Sequence, residues 1–142
     1  MPWIFDCSTG KQYDPSGKLV GIGYAGGNCG HNPEGVNNPA LQAAKCVGPL
    51  PYGPKEDGTP NGYTLGTTVE GSHLGQLAIP LIPDSDNVMF GRGSFYVHAD
   101  LISGPPHSAS EGCNVQSHTV RAAMAESSDN RLLVVNGYKL GA

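Results

Sequence analysis

Phe95-Tyr-Val-His98-Ala-Asp100, a Pro/Gly-rich loop over 101–109, and Ser110-Glu-Gly-Cys113-Asn114 form the stretch whose reading decides this chain. Period-2 alternation over Ser94–Ala99 puts Phe95, Val97 and Ala99 on one face of a strand and Ser94, Tyr96 and His98 on the other. The first set reads as core, which leaves His98 facing a groove beside Tyr96. Ser110-Glu-Gly-Cys113 reads as a tight turn, because Gly112 lets the backbone bend steeply at little steric cost. Ser117–Glu126 then predicts a helix, with Ser117 as cap and Val120, Ala123 and Met124 on one face. The histidine thus ends a strand, and the cysteine sits in a turn with a helix behind it.

Working outward, Trp3–Asp6 and Lys18–Tyr24 read as two strands of an N-terminal hairpin. Asp14-Pro-Ser-Gly17 supplies the turn, with Asp first, Pro fixing φ second and Gly fourth. A polar Gly/Asn loop follows over 25–38, and Pro39–Lys45 predicts one or two helical turns with Asn38 as cap. Val47–Pro54 carries three prolines and reads as an extended rim segment. Tyr63–Glu70 and Gln76–Ile82 read as strands, the second demoted to an edge or bulge by Pro80. Arg131–Asn136 closes the chain as an apolar strand. The expected fold is one mainly β domain spanning 1–142, with one principal short helix after the turn.

Composition narrows the function. Of 142 residues, 38% are hydrophobic and 14% charged, against ~25% charged in typical domains, which argues for a packed chain. The 21 Gly and 12 Pro are scattered between apolar runs, as many short strands and turns require. Net charge is −4 and the eight Lys/Arg form no stripe, so nucleic acid is not an expected partner. No run approaches the ~18 apolar residues of a membrane span. Met-Pro-Trp-Ile-Phe-Asp6 has neither a basic nor an apolar signal region. A soluble chain without a Sec signal is the expectation, delivered by other means if it acts outside the cytoplasm.

The chemistry gathers at one place. An imidazole beside a thiol can act as its base and hold a thiolate–imidazolium pair. Cys113 is the candidate nucleophile and His98 its base, with Ser110 steadying the turn. The N–H groups of Gly112 and Cys113 are candidate oxyanion donors, and the helix adds its positive end behind the thiol. Tyr96 either lines the groove or is structural. Zinc is not expected: His98, His107, Cys113 and His118 match no common ligand spacing. His31 and His73 fall in polar loops. Cys7, Cys29 and Cys46 are either buried small hydrophobes or include one disulfide, whose pairing the sequence leaves open.

Tyr96-Val-His98-Ala-Asp100 with Ser110-Glu-Gly-Cys113 resembles the His-Gly-(Thr/Asp) and Ser-x-Gly-Cys signature of the YkuD-type L,D-transpeptidases. More closely, the chain is similar to a small branch of that family found as type VI secretion effectors. Tyr24-Ala-Gly26, Asn37-Asn-Pro39, Val47-Gly-Pro-Leu-Pro51 and Gly91-Arg92 occur in that branch's order, so the resemblance spans roughly residues 1–135. It implies a YkuD-like β-sandwich or barrel and a cysteine enzyme acting on peptidoglycan tetrapeptide stems, without a cofactor. It also implies that the Ala99 carbonyl orients His98. An immunity protein and a secretion-apparatus component are the implied partners, and the periplasm of a target or host cell the implied place of action. A phage lysis or tail protein fits the same features. The chain departs from the family in having Ala99 after the histidine, Glu111 before Gly-Cys, and Val115 where an Arg often follows the cysteine. Arg92 or Arg121 is the candidate replacement for that carboxylate-binding Arg. The alternative class is a non-catalytic cell-wall-binding module in which Cys113 is structural.

Overall fold

A computed structural model describes residues 1–71, 74–100 and 108–139. The strands are β1 (Trp3–Asp6), β2 (Lys11–Tyr13), β3 (Leu19–Ile22), β4 (Tyr24–Ala25), β5 (Gly62–Leu65), β6 (Val69–Gly71), β7 (Gly75–Pro83), β8 (Phe95–His98), β9 (Asn114–Val115) and β10 (Arg131–Val135). The helix α1 is His118–Glu126, capped by Ser117 Oγ accepting from Val120 N–H. The chain is mainly β with this one α-helix among the described residues. The strands form one sheet in the order β3-β2-β1-β10-β5-β7-β8-β9-β4, with β6 added against β7. Its two ends, β3 and β4, are joined in the chain by Gly23 alone, so the sheet curls nearly closed into a barrel.

Side chains stitch the seam between β2 and β9. Asn114 Nδ2 donates to Gln12 Oε1 at 2.8 Å, and Gln116 Nε2 donates to Gly10 O at 3.1 Å and to Asn114 Oδ1 at 2.8 Å. All three side chains are buried, so these bonds replace water that the fold excludes. A Cβ on Gly21 would lie 2.7 Å from Val120 Cγ2, and one on Gly23 would overlap the Val115 carbonyl. The seam closes because glycine stands at both positions.

The register explains the core. Trp3 lies beside Leu132 and Phe5 beside Val134; Leu132 lies beside Tyr63, Leu65 beside Leu81, Leu81 beside Phe95, and Ile79 beside Val97. These side chains share the inner face and form the apolar cluster, which Val120 and Met124 of α1 join. Each fully buried one contributes about 1.5–3 kcal/mol relative to exposure.

Several sequence expectations change here. The hairpin runs from β2 to β3, not from Trp3–Asp6 to Lys18–Tyr24. Its turn is the expected one, with Gly17 N–H donating to Asp14 O at 2.9 Å and Asp14 Oδ1 accepting from Ser16 and Lys18. β1 instead pairs with β2 and, in parallel, with β10. Pro39–Lys45 yields one 3-10 turn, Pro39–Leu41, capped by Asn38. Tyr63–Glu70 splits into β5 and β6. β7 is central despite Pro80, because Gly66 N–H donates to Pro80 O and so marks the side to which the missing Pro80 N–H points. That side faces Gly66, just past the end of β5, so proline forgoes only the reciprocal bond to the Gly66 carbonyl and leaves the pairing with β8 intact. On α1, Val120 and Met124 are buried as expected, but Arg121 is buried in place of Ala123.

Candidate functional site

β8 and β9 are parallel neighbours with Val97 opposite Asn114 and His98 opposite Val115. One step back in that register sets Cys113 opposite Tyr96, and the Tyr96 N–H donates to Cys113 Sγ at 3.4 Å. His98 and Cys113 are thus diagonal neighbours on adjacent strands, within the reach of long side chains. Phe95 and Val97 point into the core as the alternation predicts. His98 does not open onto a groove, being 3% exposed. Tyr96 is half-buried beside it.

Ser110 builds the turn. Its buried hydroxyl donates to Cys113 O at 2.8 Å and accepts from Gly26 N–H at 2.9 Å and Gly112 N–H at 3.0 Å. Its carbonyl accepts from Cys29 N–H at 2.9 Å, and the Gly112 carbonyl accepts from Leu50 N–H at 2.8 Å. Gly112 has φ +134°, and a Cβ there would lie 2.6 Å from Arg92 Nη2 and 2.7 Å from Phe95 Cε1. Glycine is required by backbone and by packing together.

His98 Nδ1 lies 2.7 Å from the Ala99 carbonyl. A carbonyl only accepts, so Nδ1 carries the proton and Nε2 presents the lone pair that a base needs. Burial lowers the imidazole's pKa and the nearby Arg121 lowers it further, opposed by the Ala99 bond and by Asp100. The Cys113 thiol is pushed up to about 11, chiefly by burial and also by Glu111, against the Tyr96 N–H and Arg92. Both shifts favour a neutral thiol beside a neutral imidazole over a thiolate–imidazolium pair. Among the described residues the thiol's hydrogen-bond partners are Tyr96 N–H and, at 4.0 Å, the Ser94 carbonyl; His98 is not one of them.

Two assignments are corrected. Arg92 is taken up by the fold rather than offered to substrate: the residue is 7% exposed and its guanidinium engages four backbone carbonyls. Nη1 donates to Gln42 O at 2.7 Å and Pro49 O at 2.8 Å, and Nη2 to Gly48 O at 3.0 Å and Glu111 O at 3.1 Å. The guanidinium also lies 5.2 Å from the Phe95 ring centre. It holds the cysteine turn to the 42–49 segment. Gly112 is not a free oxyanion donor, since Ser110 Oγ takes its N–H. The amide hydrogen-bonded to the sulfur is that of Tyr96.

Arg121, the other candidate for a carboxylate contact, donates from Nε to Gln116 O at 3.1 Å and from Nη1 to Gln76 O, and is buried. His118 and His31 are exposed, while His73, His107 and most of the 101–109 loop lie outside the described residues. The described residues contain no group of three or more metal-ligating side chains. All four cysteines are free thiols; Cys7 is buried with its thiol donating to Val135 O at 3.2 Å, and exposed Cys29 lies 3.8 Å from Glu111 Oε1.

A cavity of about 390 Å³ lined by Glu70, Gly71, Gly75 and Gln76 opens near the end of β8, where Ala99 N–H donates to Leu74 O at 3.1 Å. The sequence placed Tyr24 in the Tyr24-Ala-Gly26 motif of the resemblance but assigned it no role at the site. The Tyr24 hydroxyl donates to Asp100 Oδ1 at 2.7 Å and accepts from Ala109 N–H at 2.9 Å. Those partners lie 76 and 85 positions ahead, so no local pattern announces these contacts of its hydroxyl. No family model, curated protein or solved structure matches the chain.

Proposed function

We propose that this chain is a cysteine-dependent L,D-carboxypeptidase/L,D-transpeptidase of peptidoglycan stem peptides, built on a YkuD-like barrel. The observation that carries the reading is the β8–β9 pairing, which sets a tautomerically fixed His98 diagonally across from Cys113. Cys113 Sγ attacks the carbonyl carbon at the L-centre of meso-diaminopimelate, and the bond to the terminal D-alanine nitrogen breaks. His98 Nε2 takes the thiol proton and returns it to the leaving amine. The thioester then goes to water, to a free D-amino acid or to a second stem. Because the resting thiol is neutral, His98 acts as a general base during attack, and substrate must bring the two side chains into contact, as catalytic hydrogen bonds often tighten only in the complex. The setting we propose is antibacterial attack or lysis in the periplasm, with an immunity protein as partner and delivery by a secretion apparatus or phage.

A second reading has its own support. The absent Cys113–His98 hydrogen bond and the thiol's raised pKa suit a structural cysteine in a wall-binding module. Purified tetrapeptide muropeptides, incubated with wild type and Cys113→Ala and followed by mass spectrometry, separate the two. The enzyme reading expects D-alanine loss or exchange with wild type only. An inert wild type that still sediments with sacculi would leave the binding module.

A further inference from the structure

We infer that Tyr24 is a positioning residue that couples the base to the nucleophile by tying together the two ends of the segment between them. The inference deepens the proposed Cys113–His98 chemistry and rests on it. Tyr24 lies opposite Val115, and Val115 opposite His98, so the three occupy one row across β4, β9 and β8 on one face of the barrel. The phenol is buried at 2% exposure and its hydroxyl spans two chain segments. It donates to Asp100 Oδ1, two residues beyond the base, and accepts from Ala109 N–H, at the entry to the cysteine turn. Burial and the Asp100 bond raise the phenol's pKa, so it stays protonated and keeps both roles at neutral pH.

The chain just after Tyr24 grips the same turn twice more. Gly26 N–H donates to Ser110 Oγ, and Cys29 N–H to Ser110 O. Those two contacts reach only the nucleophile's side. Tyr24 alone among the three also reaches the base's side, through Asp100. Within the β8–β9 register that sets the starting distance of His98 from Cys113, its hydroxyl therefore holds the entry of the cysteine turn against the end of the base strand, the arrangement from which substrate must finish closing the gap. Positioning of this kind acts on turnover more than on affinity, because misplacement by about 1 Å costs on the order of 100-fold in rate.

The test uses Tyr24→Phe, which keeps the buried ring and removes only the hydroxyl, with Asp100→Ala, Asp100→Asn and the double variant Tyr24→Phe/Asp100→Ala. With tetrapeptide substrate, Tyr24→Phe is expected to lower kcat at least tenfold with KM within twofold. Asp100→Ala falls similarly, the double variant falls no further than the worse single, and Asp100→Asn, whose amide oxygen still accepts, recovers most of the loss. Wild-type turnover by Tyr24→Phe, or additive losses in the double variant, overturns the inference. A wild type that releases no D-alanine sinks the proposed activity instead, and amide NMR then decides this inference. Asp100→Ala should shift the Ala109–Cys113 amides in the wild-type background and leave them unmoved in Tyr24→Phe. Equal shifts in both backgrounds refute the coupling.

Discussion

Replacing Arg92 by alanine tests the reasoning behind the site most directly, because two roles for that residue predict opposite measurements. Its guanidinium bridges Gln42 O, Pro49 O, Gly48 O and Glu111 O, and no carboxylate pairs with it among the described residues. Hydrogen bonds to a charged donor are worth ~1.5–3 kcal/mol each. Four on one side chain do not add, because they share a donor group and the structure relaxes when it leaves. Burying the ion also costs energy, which lowers the net further. We take about 3–5 kcal/mol, the worth of roughly two such bonds once the four carbonyls left without their donor have relaxed. Against a total of ~5–15 kcal/mol, that is a large share. At roughly 3 °C per kcal/mol for a chain of this size, the midpoint falls by about 9–15 °C. Urea unfolding should show a lower midpoint with an unchanged m-value. Arg92→Lys should lie between, since one ammonium with three hydrogens does not span four carbonyls. A destabilisation under about 1 kcal/mol accompanied by a raised KM would refute the clamp and return Arg92 to the substrate.

The other predictions follow from geometry and titration. Gly112→Ala forces a non-glycine residue to φ +134° and a Cβ against Arg92 and Phe95, so it should lose more than ~2 kcal/mol and all activity, read by urea unfolding and muropeptide turnover. Iodoacetamide should label Cys113 slowly at pH 6–7 and faster as pH rises toward about 11, with exposed Cys29 labelled first and Cys7 last; rapid Cys113 labelling at pH 6 would contradict the neutral resting thiol. Asp84 is held down to about 2, first by Arg131, whose nitrogens lie 2.6 and 2.7 Å from its oxygens, and then by Lys55. Its folded pKa lies below the ordinary carboxylate value, so the stability it adds is present above that value and is lost as pH falls toward 2. Unfolding free energies from urea curves at pH 5 and pH 2.5 should therefore differ by about 1–2 kcal/mol more in wild type than in Asp84→Asn.

What was legible in the sequence was whatever a local period or turn chemistry dictates. β8, the Ser117 cap, the Asp14 turn and the mainly β class all follow from residues a few positions apart. β2 escaped because three residues of Lys-Gln-Tyr carry no usable alternation, and its strand character comes from lying between β1 and β3. Arg92 looked like a residue free to meet substrate because the carbonyls that saturate it lie 19 to 50 positions away. Gly112 was read as the place where the backbone bends steeply, and its φ of +134° agrees, yet the direction of its N–H depends on a side chain, Ser110, that the backbone conformation alone does not specify.

The largest revision concerns what brings the two reactive side chains together. In sequence the agent is the loop between them, folding back. In the structure it is a parallel ladder, and parallel strands need a connection of a dozen or more residues to return in register. Residues 99–113 have that length, so the separation of His98 from Cys113 is what the topology demands and carries no catalytic information of its own. Rigid strands, not the loop, fix where each side chain starts, and the contacts from β4 and Arg92 fix the turn between them. The placement of His98 against Cys113 should therefore tolerate sequence change within 101–107 better than loss of the hydroxyl of Tyr24, which stands 89 positions before the cysteine in the chain.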